Sequence, residues 1–154
     1  MTNEKIKVLY VDDEPNNLVS FKATFRRDYK VFLAESGMEG KKIVEEENLH
    51  IIITDQRMPE MTGVEFLESI IPDHPEPMRI LLTGYTDIQA VIDAINKGKI
   101  YHYLTKPWDE NYLRNVVNNA YEIFRLRLEK KVLMENLQVT NEQLEFMLRQ
   151  NLLS

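Results

Sequence analysis

Five polar residues stand where short apolar runs of this chain end. Ile6 to Val11 ends on the pair Asp12 and Asp13, and His50 to Thr54 ends on Asp55. Ile80 to Leu82 ends on Thr83, and Tyr101 to Thr105 ends on Lys106. If the runs are parallel strands, these termini meet at one edge of one sheet. Carboxylates that close repel, and a proton or a cation must relieve them. A hard divalent ion with oxygen ligands does so, and Mg²⁺, which keeps several waters, is the natural choice. Lys106 adds a fixed positive charge and Thr83 a hydroxyl donor. A metal, an ammonium and a hydroxyl around one carboxylate make a site for a tetrahedral dianion. Phosphoryl transfer needs mainly positioning and charge neutralisation, and carboxylates serve as phosphoryl acceptors. Asp55 is the acceptor candidate, because its strand is central and its loop is least crowded by other acids.

The elements that must position these residues alternate. Strands are predicted at Ile6–Val11, Val31–Ala34, His50–Asp55, Met78–Leu82 and Tyr101–Thr105. Pro15 suits a first helical position, and Leu18, Phe21 and Phe25 continue as a helical stripe. Ser36-Gly37-Met38-Glu39 and Thr62-Gly63-Val64-Glu65 read as capping boxes, opening helices to about Glu47 and Ile71. Thr86 to Gln89 caps a helix with Ala90, Val91, Ala94 and Ile95 on one face, stopping at Gly98. Asp109 caps a last helix that meets no stop signal. Five strands alternating with five helices make βαβ units, an α/β fold with a parallel sheet and helices on both faces. In such open sheets the functional crevice lies outside the carboxyl ends of the strands.

Composition narrows the classes. The absence of cysteine excludes disulfides, thiolate metal sites and thiol catalysis. No apolar stretch approaches the roughly 20 residues of a membrane helix, and Asp12 and Asp13 interrupt any signal-peptide core. A soluble cytoplasmic protein is expected, without membrane contact. The net charge of −6 argues against direct nucleic-acid binding. His50, His74 and His102 lack partners at ligand spacing and read as structural or surface residues. Trp108 is expected to bury its ring where the last helix begins.

The chain resembles the receiver domain of bacterial two-component response regulators. The matching motifs are Val11-Asp12-Asp13-Glu14, Thr54-Asp55-Gln56-Arg57-Met58-Pro59 with Met61-Thr62-Gly63, Leu82-Thr83-Gly84, and Tyr103-Leu104-Thr105-Lys106-Pro107-Trp108. Their joint order and spacing carry the resemblance, over about residues 4 to 121. It implies a flavodoxin-like, doubly wound sheet of strand order 2-1-3-4-5. It implies Asp55 as phosphoacceptor from a histidine kinase or phosphotransfer protein. Mg²⁺ would be held by Asp13 and Asp55, by Asp12 directly or through water, and by the main-chain carbonyl of Arg57. Thr83 and Lys106 would contact the phosphoryl oxygens. Thr83 and Tyr103 would form the switch pair, the hydroxyl moving toward the phosphoryl group and the ring turning inward. Lys106–Pro107 would be a cis peptide. Arg57 and Tyr85, larger than many residues at these places, would shield Asp55 and tune phosphoryl lifetime.

Two domains are expected: a receiver over 1–121 and a helical extension over 122–154. From Ile123 a heptad runs through Leu126, Lys130, Leu133, Leu137, Thr140, Leu144, Met147 and Asn151. The apolar members suit a parallel coiled-coil homodimer through residues 123–151, with the polar ones setting register. At about 1.5 Å per residue the segment is roughly 45 Å long, enough to carry a change onward to an output module. No output module follows, so the chain reads as a phosphoacceptor rather than an enzyme. Two other functions compete: a Mg²⁺-dependent phosphatase working through an aspartyl phosphate, and a dimeric scaffold that no longer signals. Arg57, standing two residues past Asp55 where a phosphatase needs an acid, opposes the first.

Overall fold

β-Branched and aliphatic runs too short for helices become strands when both faces can be buried. In the computed structural model, which describes residues 4–84 and 88–153, five runs do so. They are β1 (Ile6–Val11), β2 (Tyr29–Ala34), β3 (Ile51–Asp55), β4 (Met78–Thr83) and β5 (His102–Thr105). Helices α1 (Pro15–Phe25), α2 (Gly37–Glu46), α3 (Gly63–Ile70), α4 (Ile88–Asn96) and α5 (Glu110–Leu153) alternate with them. The sheet is parallel throughout, in the order β2-β1-β3-β4-β5. This is the doubly wound, flavodoxin-like arrangement expected. The central strand β3 is buried along its whole length.

The chain divides into two compact units, Met1–Tyr121 and Glu122–Ser154. In the first, one core cluster joins Leu9, Val11 and Ile52 of the sheet to Phe66, Leu67 and Ile70 of α3. On the other side Tyr10 stacks on Phe21 with ring centroids 4.2 Å apart, and Trp108 packs against Phe21 and Phe25. In the second unit the described side chains beyond Phe124 are all exposed.

Several boundaries and contacts differ from expectation. β2 begins at Tyr29 rather than Val31, since Tyr29 pairs with Ile6 and its buried hydroxyl donates to Asn118 Oδ1 at 2.9 Å. Thr62 and Glu65 form the reciprocal capping box, whereas Glu39 takes the Glu35 amide instead of that of its own cap, Ser36. Ala90 is exposed; Val91 and Ala94 alone make the buried line of α4, with Ile95 partly covered. The expected cap from Thr86 falls outside the described residues.

Gly63 sets how closely α3 approaches the end of β3. A Cβ there would collide with the Asp55 carbonyl and stand 2.8 Å from Leu81 Cδ1. Neither is a flexible tip in open space, so helix and strand would have to separate. Gly63→Ala is expected to cost about 1–3 kcal/mol, the usual range for overpacking. Thermal unfolding of this variant beside Gly84→Ala, whose Cβ meets nothing within 4 Å, checks the point: only the first should lose much Tm.

Candidate functional site

Strands β1, β3 and β5 each hand their successor residue to a neighbour by one more backbone bond. The Asp12 amide donates to the Ala34 carbonyl at 3.1 Å, that of Gln56 to Leu82 at 3.0 Å, and that of Lys106 to Thr83 at 3.0 Å. The polar residues at the strand ends are therefore pinned by the ladder itself, at the carboxyl edge. This brings one carboxylate oxygen each of Asp12, Asp13 and Asp55 within 4.8 Å of one another. Asp12 and Asp55 are buried and Asp13 half-buried. An oxygen-only donor set of three carboxylates at that separation fits a hard divalent cation such as Mg²⁺.

Lys106 lies inside this acid group. Its Nζ is 2.9 Å from Asp55 Oδ1 and 3.7 Å from Asp12 Oδ2. Burial pulls the ammonium toward deprotonation, but the hydrogen bond to Asp55 and the charges of Asp55, Asp12 and Glu14 outweigh it, so its pKa is raised. Asp55 is also raised above the ordinary carboxylate value, chiefly by burial. Lys106 pulls it down, and the negative charges of Asp12 and Asp13 push it back up. Asp55 is thus a buried acid whose charge its one ammonium offsets only in part.

Asp12 is the opposite case. It accepts from the Tyr10 hydroxyl at 2.8 Å, from Asn17 Nδ2 at 3.1 Å and from the Glu14 amide at 3.0 Å. Burial first, and Asp12 second, push the Tyr10 hydroxyl far above its normal pKa, so it remains a donor. Tyr10 and Asn17 were not expected at the site. For Tyr10 a signal was available: it lies on β1 two residues before Asp12, which follows the strand directly and so shares its face.

Gln56 is the third unexpected residue. It is buried, and its Oε1 accepts the Val64 amide at 2.9 Å while its carbonyl accepts the Gly63 amide at 3.0 Å. These are first-turn amides of α3 that have no partner within the helix. The residue directly after Asp55 thereby fastens the β3 end to α3.

The remaining expected residues are placed as follows. Thr83 is buried, and its hydroxyl donates to the Gly84 carbonyl at 3.0 Å, without a bond to Asp55. Tyr103 is half-buried against the core cluster, paired in register with Leu81. Arg57 is exposed in the loop after β3, and the Lys106–Pro107 peptide is cis. Tyr85 lies outside the described residues. His50 Nδ1 accepts the Lys7 amide at 2.9 Å, and His102 Nε2 meets the Tyr112 hydroxyl at 3.3 Å.

Comparison with known proteins gives the family. Residues 8–118 match the response regulator receiver domain. The hydrogenase transcriptional regulatory protein HoxA of Bradyrhizobium diazoefficiens is 34% identical over 122 residues, covering 79% of this chain and 25% of HoxA. The transcriptional regulatory protein GlrR of Escherichia coli is 32% identical over 124 residues, covering 79% of this chain and 28% of GlrR. The chain therefore spans about a quarter of the length of the curated relatives it matches. Among solved structures, a response regulator receiver domain protein from Clostridium thermocellum is similar at TM-score 0.75 and 33% identity, covering 79% of this chain and 98% of that one. Among the described residues no helix is long and apolar enough to cross a membrane.

The raised pKa of Asp55 has a sign that can be measured. The unfolded chain ionises this carboxyl near 3.8 and the folded one only at higher pH. Between those values rising pH costs folded stability, and the cost stays constant above them. In metal-free buffer at neutral pH, Asp55→Asn is expected to be more stable than wild type by on the order of 1 kcal/mol. The gap should close as pH falls through the acid range. Urea unfolding as a function of pH checks this, and added Mg²⁺ should stabilise the wild type more than the variant.

Proposed function

We propose, from the premise that this chain belongs to the response regulator receiver domain family, that Asp55 accepts a phosphoryl group from a histidine kinase or phosphotransfer protein. The chain is then a phosphorylation-dependent signalling switch. What supports the reading most is the ammonium of Lys106 at 2.9 Å from Asp55, inside a group of three carboxylates. An Asp55 oxygen forms the new bond to phosphorus as the P–N bond of the donor phosphohistidine breaks, and the imidazole keeps the electron pair. Lys106 stays protonated and neutralises an equatorial oxygen. Asp13 and Asp55, with the Arg57 carbonyl, would hold Mg²⁺, which when bound supplies the rest of the neutralising charge. Asp12, which accepts from Tyr10, Asn17 and the Glu14 amide, would hold that ion directly or through water. Thr83 turns its hydroxyl from the Gly84 carbonyl to a phosphoryl oxygen, and the Tyr103 ring follows inward. Arg57 shields the acyl phosphate from water.

The signal leaves through the helical extension. α5 is 44 residues long, and Leu126, Leu133, Leu137, Leu144 and Met147 of the heptad are each more than half exposed. A helix of that length with an apolar seam is the pattern of a coiled coil. The reading is a cytoplasmic homodimer through residues 123–151 that passes the change to a partner or output segment.

Incubation with a small phosphodonor and Mg²⁺, followed by intact-mass spectrometry, tests the acceptor. One phosphoryl per chain is expected, none in Asp55→Asn, and faster decay in Arg57→Ala; an unshifted wild-type mass overturns the reading. Light scattering tests the extension separately. A particle of twice the chain mass is expected, falling to one chain in Leu137→Glu, and a wild-type monomer with or without a beryllofluoride mimic removes the dimer.

A further inference from the structure

Two buried acids at the strand ends have one ammonium between them. Lys106 Nζ stands 2.9 Å from Asp55 Oδ1 and 3.7 Å from Asp12 Oδ2, so it is hydrogen-bonded to the first acid and only near the second. Burial alone predicts the opposite choice. The Asp12 side chain is 0% exposed against 9% for Asp55, and the more deeply buried charge has the greater need of a partner.

The occupancy of Asp12 Oδ2 accounts for the difference. That oxygen accepts from the Tyr10 hydroxyl at 2.8 Å and from Asn17 Nδ2 at 3.1 Å. A carboxylate oxygen has about two acceptor positions, so these two donors fill it and a third finds no lone pair. The Tyr10 hydroxyl is aimed there by the fold. Its ring is 1% exposed and lies flat on Phe21, with centroids 4.2 Å apart and planes 6° from parallel. An aliphatic residue would serve the β1 core as well, but only the hydroxyl reaches Asp12.

We propose that Tyr10, seconded by Asn17, is a positioning residue for Lys106: by filling Asp12 Oδ2 it assigns the ammonium to Asp55. The proposal rests on the reading of Asp55 as phosphoacceptor and of Lys106 as the group that neutralises a phosphoryl oxygen. Without the hydroxyl, Oδ2 has an open position in a side chain closed to solvent. The ammonium 3.7 Å away is then the donor at hand, and it turns from Asp55 to Asp12.

A double-mutant cycle on the full chain in EDTA, without phosphodonor, tests the competition. Tyr10→Phe keeps the stacked ring and removes the donor. With Lys106 present, the ammonium replaces that donor and the loss of Tm is small. In the Lys106→Met background the same substitution should lower Tm about twice as far or more. Asn17→Ala, at a half-buried position on α1, frees the same oxygen and should behave alike, so the cycle stands even where Tyr10→Phe folds poorly. The initial rate of phosphorylation by a small phosphodonor with Mg²⁺ should fall by about tenfold in Tyr10→Phe, since Lys106 is drawn off the acceptor. Phe25→Leu, which disturbs the same aromatic cluster away from Tyr10, should lower Tm and leave that rate unchanged. Equal Tm losses in the two backgrounds overturn the proposal, as does an unchanged rate in Tyr10→Phe or an equal loss of rate in Phe25→Leu. The cycle needs no phosphoryl transfer, so it can fail in a chain that is phosphorylated on Asp55 and hold in one that is not.

Discussion

The ion pair between Lys106 and Asp55 is the constraint on which the rest of this sheet edge depends. Three carboxylates meet where the strands end, and one ammonium stands among them. Burying charge of one sign is expensive unless it is paired and hydrogen-bonded. The protein meets that cost unequally. Asp12 receives three hydrogen-bond donors from its own neighbourhood. Asp55 receives one ammonium and keeps a raised pKa. The asymmetry leaves Asp55 with more to gain than Asp12 from an added cation or from covalent change. It also dictates the end of β5, because Lys106 must leave the ladder beside Thr83, which its amide still holds.

A second constraint acts through the loop after β3. Gln56 occupies amides at the start of α3, and Gly63 allows that helix to sit against the Asp55 carbonyl. Between them the chain must turn within a few residues, and Glu60 adopts φ of 69°, a left-handed conformation that costs a non-glycine residue energy. The strain is held by the latch on one side and the Thr62–Glu65 box on the other. The β3–α3 loop is thus tightly determined on both flanks, which is what a main-chain carbonyl such as that of Arg57 requires if it is to serve as a ligand.

The parts of this site that could be read from the chain are those where residue type and strand end coincide. Asp12, Asp13, Asp55 and Lys106 follow apolar runs directly, so recognising the strands places them together. Thr62 and Glu65 announce a helix start by local spacing alone. Tyr10, Asn17 and Gln56 escaped because their roles are tertiary. Tyr10 reads as an apolar strand residue, and its polar tip matters only once Asp12 is known to be buried beside it. Gln56 reads as loop until α3 is docked. Ala90 failed for the reverse reason: it fits the period of α4, but the narrow buried line of that helix needs only Val91 and Ala94. The early start of β2 at Tyr29 depends on a partner, Asn118, that is distant in sequence.

The helical extension obeys different physics from the unit before it. It has no core of its own, and helices in water draw most of their stability from a covered apolar face rather than from propensity. The heptad seam accounts for Leu126, Leu133, Leu137, Leu144 and Met147. It does not account for Leu128, Val132, Val139 and Phe146, exposed by 50%, 47%, 52% and 63%. Successive members of that set are spaced by four, seven and seven residues, so they too share one line along the helix, away from the heptad seam. A two-stranded coil normally turns charge outward on this side. Here the outward side carries these four aliphatic and aromatic groups among charged residues. The extension thus exposes apolar groups beyond those of the heptad pattern.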